Sequence, residues 1–284
     1  MLVYFSRINR SKTQNLIFMH TTKWSFRLML LFTLAFISSC SPDDSAVPDK
    51  RLLPETYSEL NYSRTLYFDS QYRLIRIYMV SKYSDESWGE STQIYFYNDE
   101  GVLTESHVDN GWRMLYTYDG DRIVRTDEYV FSTHNQFHTF EYNEQGRLSK
   151  STTYQDIPEE GGVIPVSGES YDYDANGNIT EQRLYYYTTN GAEAKLLTTF
   201  SYSGYDDRIN GDNMFSIHPF NPFIKLSENN PGQMLIKNNK GEVSSTNTYT
   251  YQYHKKGHPV KKITHIELYN GQVNDYVSTY KFKD

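Results

Sequence analysis

Apolar and polar positions alternate with a period of two along most of the chain, interrupted at short intervals by turn-forming residues. The clearest unit is Tyr171 to Ile179, Tyr-Asp-Tyr-Asp-Ala-Asn-Gly-Asn-Ile. Alternation puts Tyr171 and Tyr173 on one face of a strand, because successive side chains point to opposite sides. Asp174 opens a type I turn, Asn176 suits its third position, and Gly177 supplies the left-handed conformation that closes a three-residue hairpin loop with a bulge. Ile179 then starts the return strand. An aromatic facing an aliphatic side chain across such a hairpin contributes roughly 0.2 to 1 kcal/mol, so the unit encodes both turn and packing.

The unit recurs along the chain. Copies lie at Leu66-Tyr67-Phe68-Asp69, at Tyr95-Phe96-Tyr97-Asn98 with Gly101 and Leu103, and at Tyr116-Thr117-Tyr118-Asp119 with Ile123. Others are Phe140-Glu141-Tyr142-Asn143 with Gly146 and Leu148, and Tyr251-Gln252-Tyr253-His254 with Gly257. Tyr72 stands in the first copy where glycine is expected. The third copy is one residue short, and its Asp119-Gly120 fits a two-residue type I′ turn. A second kind of turn, at Asn110-Gly111, Asn190-Gly191 and Asn270-Gly271, carries the type I′ signature and falls at the other strand ends. The two kinds in alternation predict an all-β fold, an up-and-down antiparallel meander of about 14 to 16 strands, curled or closed into a barrel-like sheet. No segment has the 3.6-residue period and caps of a long helix.

Two stretches break the meander. Asn210 to Gln233 holds His218, Pro219, Pro222 and Pro231 among Phe215, Phe220 and Phe223. Its aromatics predict a packed loop, either a cap over a barrel mouth or sheet edge, or a ligand-contacting loop. Asp156 to Gly168, with Pro158, Glu159, Glu160, Gly161 and Gly162, is expected to be an exposed loop.

The N-terminal residues are of another kind. Residues 1–39 hold Arg7, Arg10, Lys12, Lys23 and Arg27, no acidic residue, and an apolar run from Leu28 to Ile37. That run is shorter than the roughly 20 residues of a membrane span, and the pattern is that of a secretion signal. Met19 is an alternative start, since Lys23 and Arg27 would still precede the run. Ile37-Ser38-Ser39-Cys40 resembles the lipobox of bacterial lipoproteins, in which the cysteine is lipidated and becomes the mature N-terminus. Cys40 is the only cysteine of the chain, which excludes a disulfide within one molecule. The expected organisation is a signal peptide over 1–39, a flexible acidic tether over 40–58, and one β domain over 59–284. Ser41 beside the cysteine looks like an outer-membrane sorting pattern, and Asp43-Asp44 resembles the surface-export signal of Bacteroidetes-type lipoproteins.

Removing the signal also removes five basic residues. That leaves 23 basic against 35 acidic residues and a net charge of −12, which excludes nucleic acid as a partner class in the absence of a basic patch.

The repeat resembles the YD repeats of Rhs-type proteins, most clearly at Tyr171 to Ile179 and Tyr95 to Leu103. Over residues 60 to 284 the chain is similar to a lipoprotein family defined by a domain of unknown function, number 4595, with a porin-like β fold. The resemblance is carried by Asn213-Met214-Phe215, Asn221-Pro222-Phe223, Ser227-Glu228-Asn229-Asn230-Pro231, and Tyr249-Thr250-Tyr251-Gln252-Tyr253 leading to Gly257-His258-Pro259-Val260-Lys261. His254 departs from it, standing where aspartate is usual. The resemblance implies fold and address, and carries no activity.

The return strands hold Arg76, Glu105, Arg125, Asp127, Lys150, Glu181, Arg183, Lys261 and Lys262, which does not suit the apolar band of a spanning barrel. The expectation is an outer-membrane lipoprotein attached through Cys40, with a domain that does not cross the membrane. Motifs for catalysis are lacking: no serine elbow, HExxH or phosphate-binding glycine loop occurs. His134 and His138 lie about 13 Å apart along a strand, and His254 and His258 lack a third ligand, so no metal and no cofactor is expected. Asp206-Asp207 is a pair of solvated turn charges on this reading. Trp88 and Trp112 are the exposed-aromatic candidates for binding a glycan or peptide, joined by Phe215, Phe220 and Phe223 if the long loop contacts a ligand. The chain is thus expected to be a non-catalytic binding or interaction module, with a structural shell and a glycan-active enzyme as the alternatives.

Overall fold

The computed structural model describes residues 53–83, 87–109, 111–158, 162–188, 193–215, 218 and 220–283. The signal segment, Cys40, Asp43-Asp44, Asn110 and Asn190-Gly191 lie outside the described residues. Sixteen strands follow one another: β1 (Leu53–Glu59), β2 (Tyr62–Phe68), β3 (Leu74–Lys82), β4 (Trp88–Tyr97), β5 (Leu103–Val108), β6 (Trp112–Asp119), β7 (Arg122–Val130) and β8 (Thr133–Tyr142). They continue as β9 (Leu148–Ile157), β10 (Gly162–Tyr173), β11 (Ile179–Tyr187), β12 (Ala194–Ser203), β13 (Gln233–Asn238), β14 (Val243–Tyr253), β15 (Pro259–Leu268) and β16 (Val273–Lys283). Each pairs antiparallel with its predecessor, and β1 pairs with β16, so the meander closes into a barrel. The helical element among the described residues is a single turn, α1 (Asp212–Phe215).

The repeat builds the wall as its alternation predicts. Tyr171 faces Gln182 and Tyr173 faces Ile179 across the β10–β11 hairpin, all turned to the inner side, while Asp172 and Arg183 point outward and pair at 2.6 Å. The turn works through its first side chain: Asp174 Oδ1 accepts from the backbone N–H of Asn176 at 2.9 Å and of Asn178 at 2.8 Å, and Gly177 has φ +84°. Asn98 and Asn143 do the same in their copies. In the first copy Tyr72 itself adopts φ +63°.

Several local expectations are corrected. Between the paired residues Asp119 and Arg122 the loop is Gly120-Asp121, with positive φ at Gly120 alone. That is the type II′ pattern with glycine first, not type I′. At Asn270-Gly271 only Gly271 is left-handed; its N–H donates to Leu268 O at 2.8 Å, and Asn270 Oδ1 accepts from Gln272 N at 3.0 Å. The asparagine side chain thus holds an ordinary turn closed by a glycine bulge, where type I′ would need both residues left-handed. Asp156 to Gly168 is mostly strand: β9 reaches Ile157, β10 starts at Gly162, and the ladder absorbs Pro165 at a bulge before Ser167. Strand β1 starts at Leu53, inside the stretch expected as tether. Tyr57 on β1 packs on Tyr280 with ring centroids 5.4 Å apart, and without β1 the barrel has no closing strand.

Candidate functional site

The residues between β12 and β13, 204–232, form the long loop, and their partners define where it lies. Phe215 is fully buried against Tyr57, Tyr280 and Phe282, and its carbonyl accepts from Arg64 Nη1 at 2.7 Å. Thr126 Oγ1 on β7 donates to Phe220 O, and Asn221 Nδ2 donates to Tyr142 OH on β8 at 2.9 Å. Asp212 meets Lys262 Nζ of β15 at 2.9 Å and accepts from Tyr280 OH of β16 at 2.9 Å. These partners all lie on the inner face, and β7–β8 stand eight strands from β15–β16 around the ring. A segment that touches the same face on opposite sides of a closed barrel is inside it. The loop is a plug, anchored at its neck by Asp206, which accepts from Asn230 N at 3.0 Å and from Tyr253 OH. The stretch expected as a cap over a barrel mouth or sheet edge, or as a ligand-contacting loop, is packed, and it lies inside the barrel and not over its mouth.

Electrostatics of the plug contact follow from burial. His218 Nδ1 accepts from the N–H groups of Phe220 at 3.2 Å and Asn221 at 2.9 Å, which makes this nitrogen unprotonated. Burial, then the neighbouring His138, lower the His218 pKa to about 3. Burial lowers that of His138 too, against the opposing pull of Glu128. Glu169 is raised by burial despite accepting from Tyr171 OH and from Gln182 Nε2 at 2.9 Å. Beside these, Glu128 is fully buried and accepts from Asn135 Nδ2 and, at 3.2 Å, from Gln136 Nε2. Among the described residues no group of three or more His, Cys, Asp or Glu side chains is arranged to hold a metal ion.

No family model matches the chain, and no curated protein matches it. Among solved structures it is similar to a porin-like protein from Bacteroides uniformis ATCC 8492, at 16% identity over 83% of this chain and 98% of that one, with a TM-score of 0.57. The fold is porin-like. A porin-like protein from Bacteroides vulgatus ATCC 8482 also matches, at 10% identity over 82% of this chain and 99% of that one, with a TM-score of 0.37.

Within the porin-like barrel the aromatic candidates separate. Trp88, 59% exposed, pairs with Lys82 on the outer face at the start of β4. Trp112 pairs with Val108 and Val130 and lies two positions from the buried Met114, on the inner face and half-buried. The two tryptophans therefore stand on opposite sides of the wall and cannot form one platform. Phe215 is core, and Phe220 and Phe223 are half-buried within the plug. His134 points outward to Asp127 at 3.0 Å while His138 points inward to Thr153 at 3.0 Å, so this pair does not converge. Asp206 is the plug's anchor and Asp207 an exposed partner of Arg208. Sequence reasoning missed Glu128, Gln136, His138 and Gln155 as one inner cluster. The signal was their parity: Gln136 and His138 alternate in step with the core residues Phe140 and Tyr142.

Proposed function

We propose that this chain is a lipid-anchored outer-membrane protein whose barrel is a non-catalytic scaffold for recognising a glycan or peptide, and that the barrel does not span the bilayer. The observation that carries this reading is the outer wall. Arg125, Asp127 and Arg183 project outward at mid-strand positions, where a spanning barrel presents an apolar band to lipid, and Arg76, Glu105, Lys150 and Lys261 project outward nearer the plug-side strand ends. A charged side chain at the bilayer midplane costs about 2 to 4 kcal/mol, so this wall belongs in water. Attachment then falls to Cys40, which follows a signal peptide over 1–39 and opens an acidic tether. Among the described residues no helix is long and apolar enough to cross a membrane. We place the chain with the YD-repeat-like lipoproteins of unknown function on the strength of its turn repeat.

The test is palmitate labelling and fractionation of the wild type and Cys40→Ser in a Gram-negative host. The reading predicts label on the wild type alone and release of the variant from membranes. A Cys40→Ser barrel that stays in membranes through an alkaline carbonate wash would show that the wall itself is embedded. Array screening of the soluble barrel against glycans and peptides tests recognition.

A further inference from the structure

Inner-facing positions are unequally covered along the strands. On β11, Gln182 and Leu184 are 0% and 3% exposed, but Tyr186, next on the same face, is 45% exposed. On β16, Tyr280 and Ser278 are 3% and 2% exposed and Tyr276 is 39%. In both strands exposure rises away from the plug. The inner face is therefore shut at the plug and opens to solvent away from it along β11 and β16, while along β10, β13 and β14 it stays covered as far as Ile164, Ile236 and Ser245.

Between plug and mouth the inner wall of β7, β8 and β9 is polar. Gln155 Nε2 donates to Gln136 Oε1 at 3.1 Å, Gln136 Nε2 donates to Glu128 Oε2 at 3.2 Å, and Asn135 Nδ2 caps the other oxygen of Glu128. Glu128 is fully buried, Gln136 and Gln155 are half-buried, and Asn135 is exposed, so the ladder runs from the protein interior into solvent. Glu128 faces Met114 on β6, and Trp112 stands one inner position nearer the mouth. A wall that served only as core would be apolar at these positions, as Leu103, Ile123 and Leu148 are near the plug.

We infer that the open side of the lumen is a binding site for the end of a neutral oligosaccharide, hydrogen-bonded by Gln136 and Gln155, which Glu128 holds in place, and stacked on Trp112. The inference deepens the recognition role proposed above and rests on it. The half-buried Gln136 and Gln155 amides each offer a donor and an acceptor side by side, which matches adjacent sugar hydroxyls, while the fully buried Glu128, its oxygens taken by Asn135 and Gln136, orients the ladder from behind. The indole face covers the apolar face of a pyranose ring. The ladder ends on a carboxylate, which disfavours phosphorylated or sulfated ligands. An extended peptide binds best by adding to a free strand edge, and a closed barrel has none.

The experiment is a neutral-oligosaccharide array, with a peptide array in parallel, on the full mature chain and four variants whose melting curves are recorded first. Trp112→Ala is expected to weaken binding about tenfold or more, and Trp112→Phe to restore part of it. Ser167→Trp, which adds bulk to the inner face of β10 beside Tyr186, is expected to abolish it. Trp88→Ala on the outer wall should leave it unchanged. Binding lost in Trp88→Ala and kept in Trp112→Ala and Ser167→Trp would overturn the lumenal site while preserving the recognition role. So would binding to peptides alone. A folded chain that binds nothing on either array would overturn both.

Discussion

The imidazole of His138 on β8 lies nearly parallel to the ring of Phe220 in the plug, with centroids 3.6 Å apart and planes inclined by 16°. The plug is thus held partly by a histidine that burial disposes to the neutral form, against the pull of Glu128, whose Oε2 lies 4.0 Å from its Nε2. His218, edge-on to the same phenylalanine at 6.0 Å, is neutral for the same reason and uses its bare Nδ1 to hold two backbone N–H groups.

Acidification should therefore loosen the plug. In the unfolded chain both histidines titrate near the ordinary value of about 6.5; in the folded chain His218 is held to about 3 and His138 is lowered. Between those limits the unfolded state binds more protons, so stability falls as pH falls, by up to about 1.4 kcal/mol per pH unit for each histidine. Urea midpoints at pH 7 and pH 5, a window above most carboxylate titration, should drop accordingly. Equal midpoints would show that the two rings are solvated.

Tyr72 sits at φ +63° in a turn where the other copies use glycine, and its ring is 64% exposed. Left-handed backbone costs a side-chain-bearing residue roughly 1 to 2 kcal/mol, offset partly by the entropy glycine adds to the unfolded chain. Tyr72→Gly should stabilise the barrel by about 0.5 to 1 kcal/mol in chemical denaturation. The reverse exchange at Gly177, where the Arg147 guanidinium packs against the glycine, should destabilise it.

His254 is a weak substitute for the turn-opening carboxylate. Its Nδ1 accepts from Lys256 N at 3.3 Å, whereas Asp174 accepts from two N–H groups at 2.9 and 2.8 Å. His254→Asp should restore the second bond and raise stability by about 0.5 to 1.5 kcal/mol, visible as a higher urea midpoint with an unchanged slope.

Lys262, 3% exposed on the inner face of β15, neutralises Asp212 in the plug. Lys262→Met leaves that carboxylate beside the hydroxyl of Tyr280 without its cation and should cost about 3 kcal/mol. The double variant Lys262→Met/Asp212→Asn should recover much of the loss. Additive losses would mean that the pair is not coupled.

Much of this architecture is legible in the sequence because the turn chemistry is local. Asp174 with Gly177, and Asn143 with Gly146, announce hairpins that need nothing distant to form, and counting them gives about 14 to 16 strands against the sixteen found. Parity within a strand is legible too: Trp112, Met114, Tyr116 and Tyr118 share a face, and Trp88 falls opposite to Tyr95. Closure is not legible, because the pairing of Tyr57 with Tyr280 joins the two ends of the domain through no local signal. The inner polar ladder was hidden by bulges. On β7 the register shift beside Tyr118 changes parity between Ile123 and Thr126, so Glu128 counts as outward from the repeat yet points inward. Pro158, Glu159, Glu160, Gly161 and Gly162 read as a loop over Asp156 to Gly168, yet β9 reaches Ile157, β10 starts at Gly162, and a bulge in the ladder accommodates Pro165.

Plug, lumen and binding site all depend on closure between the first and last strands. Ser58 on β1 faces Thr279 on β16 across that seam, both on the outer side. Directly opposed residues in an antiparallel pair have Cα atoms about 4.5 to 5.5 Å apart, within the reach of a disulfide. The most direct measurement is mild oxidation of Ser58→Cys/Thr279→Cys in a Cys40→Ser background, followed by thiol alkylation and non-reducing electrophoresis. A closed barrel predicts nearly complete intramolecular disulfide formation and a raised denaturation midpoint. Two thiols that remain alkylatable, or that form only cross-linked dimers, would mean that the sheet is open at this seam.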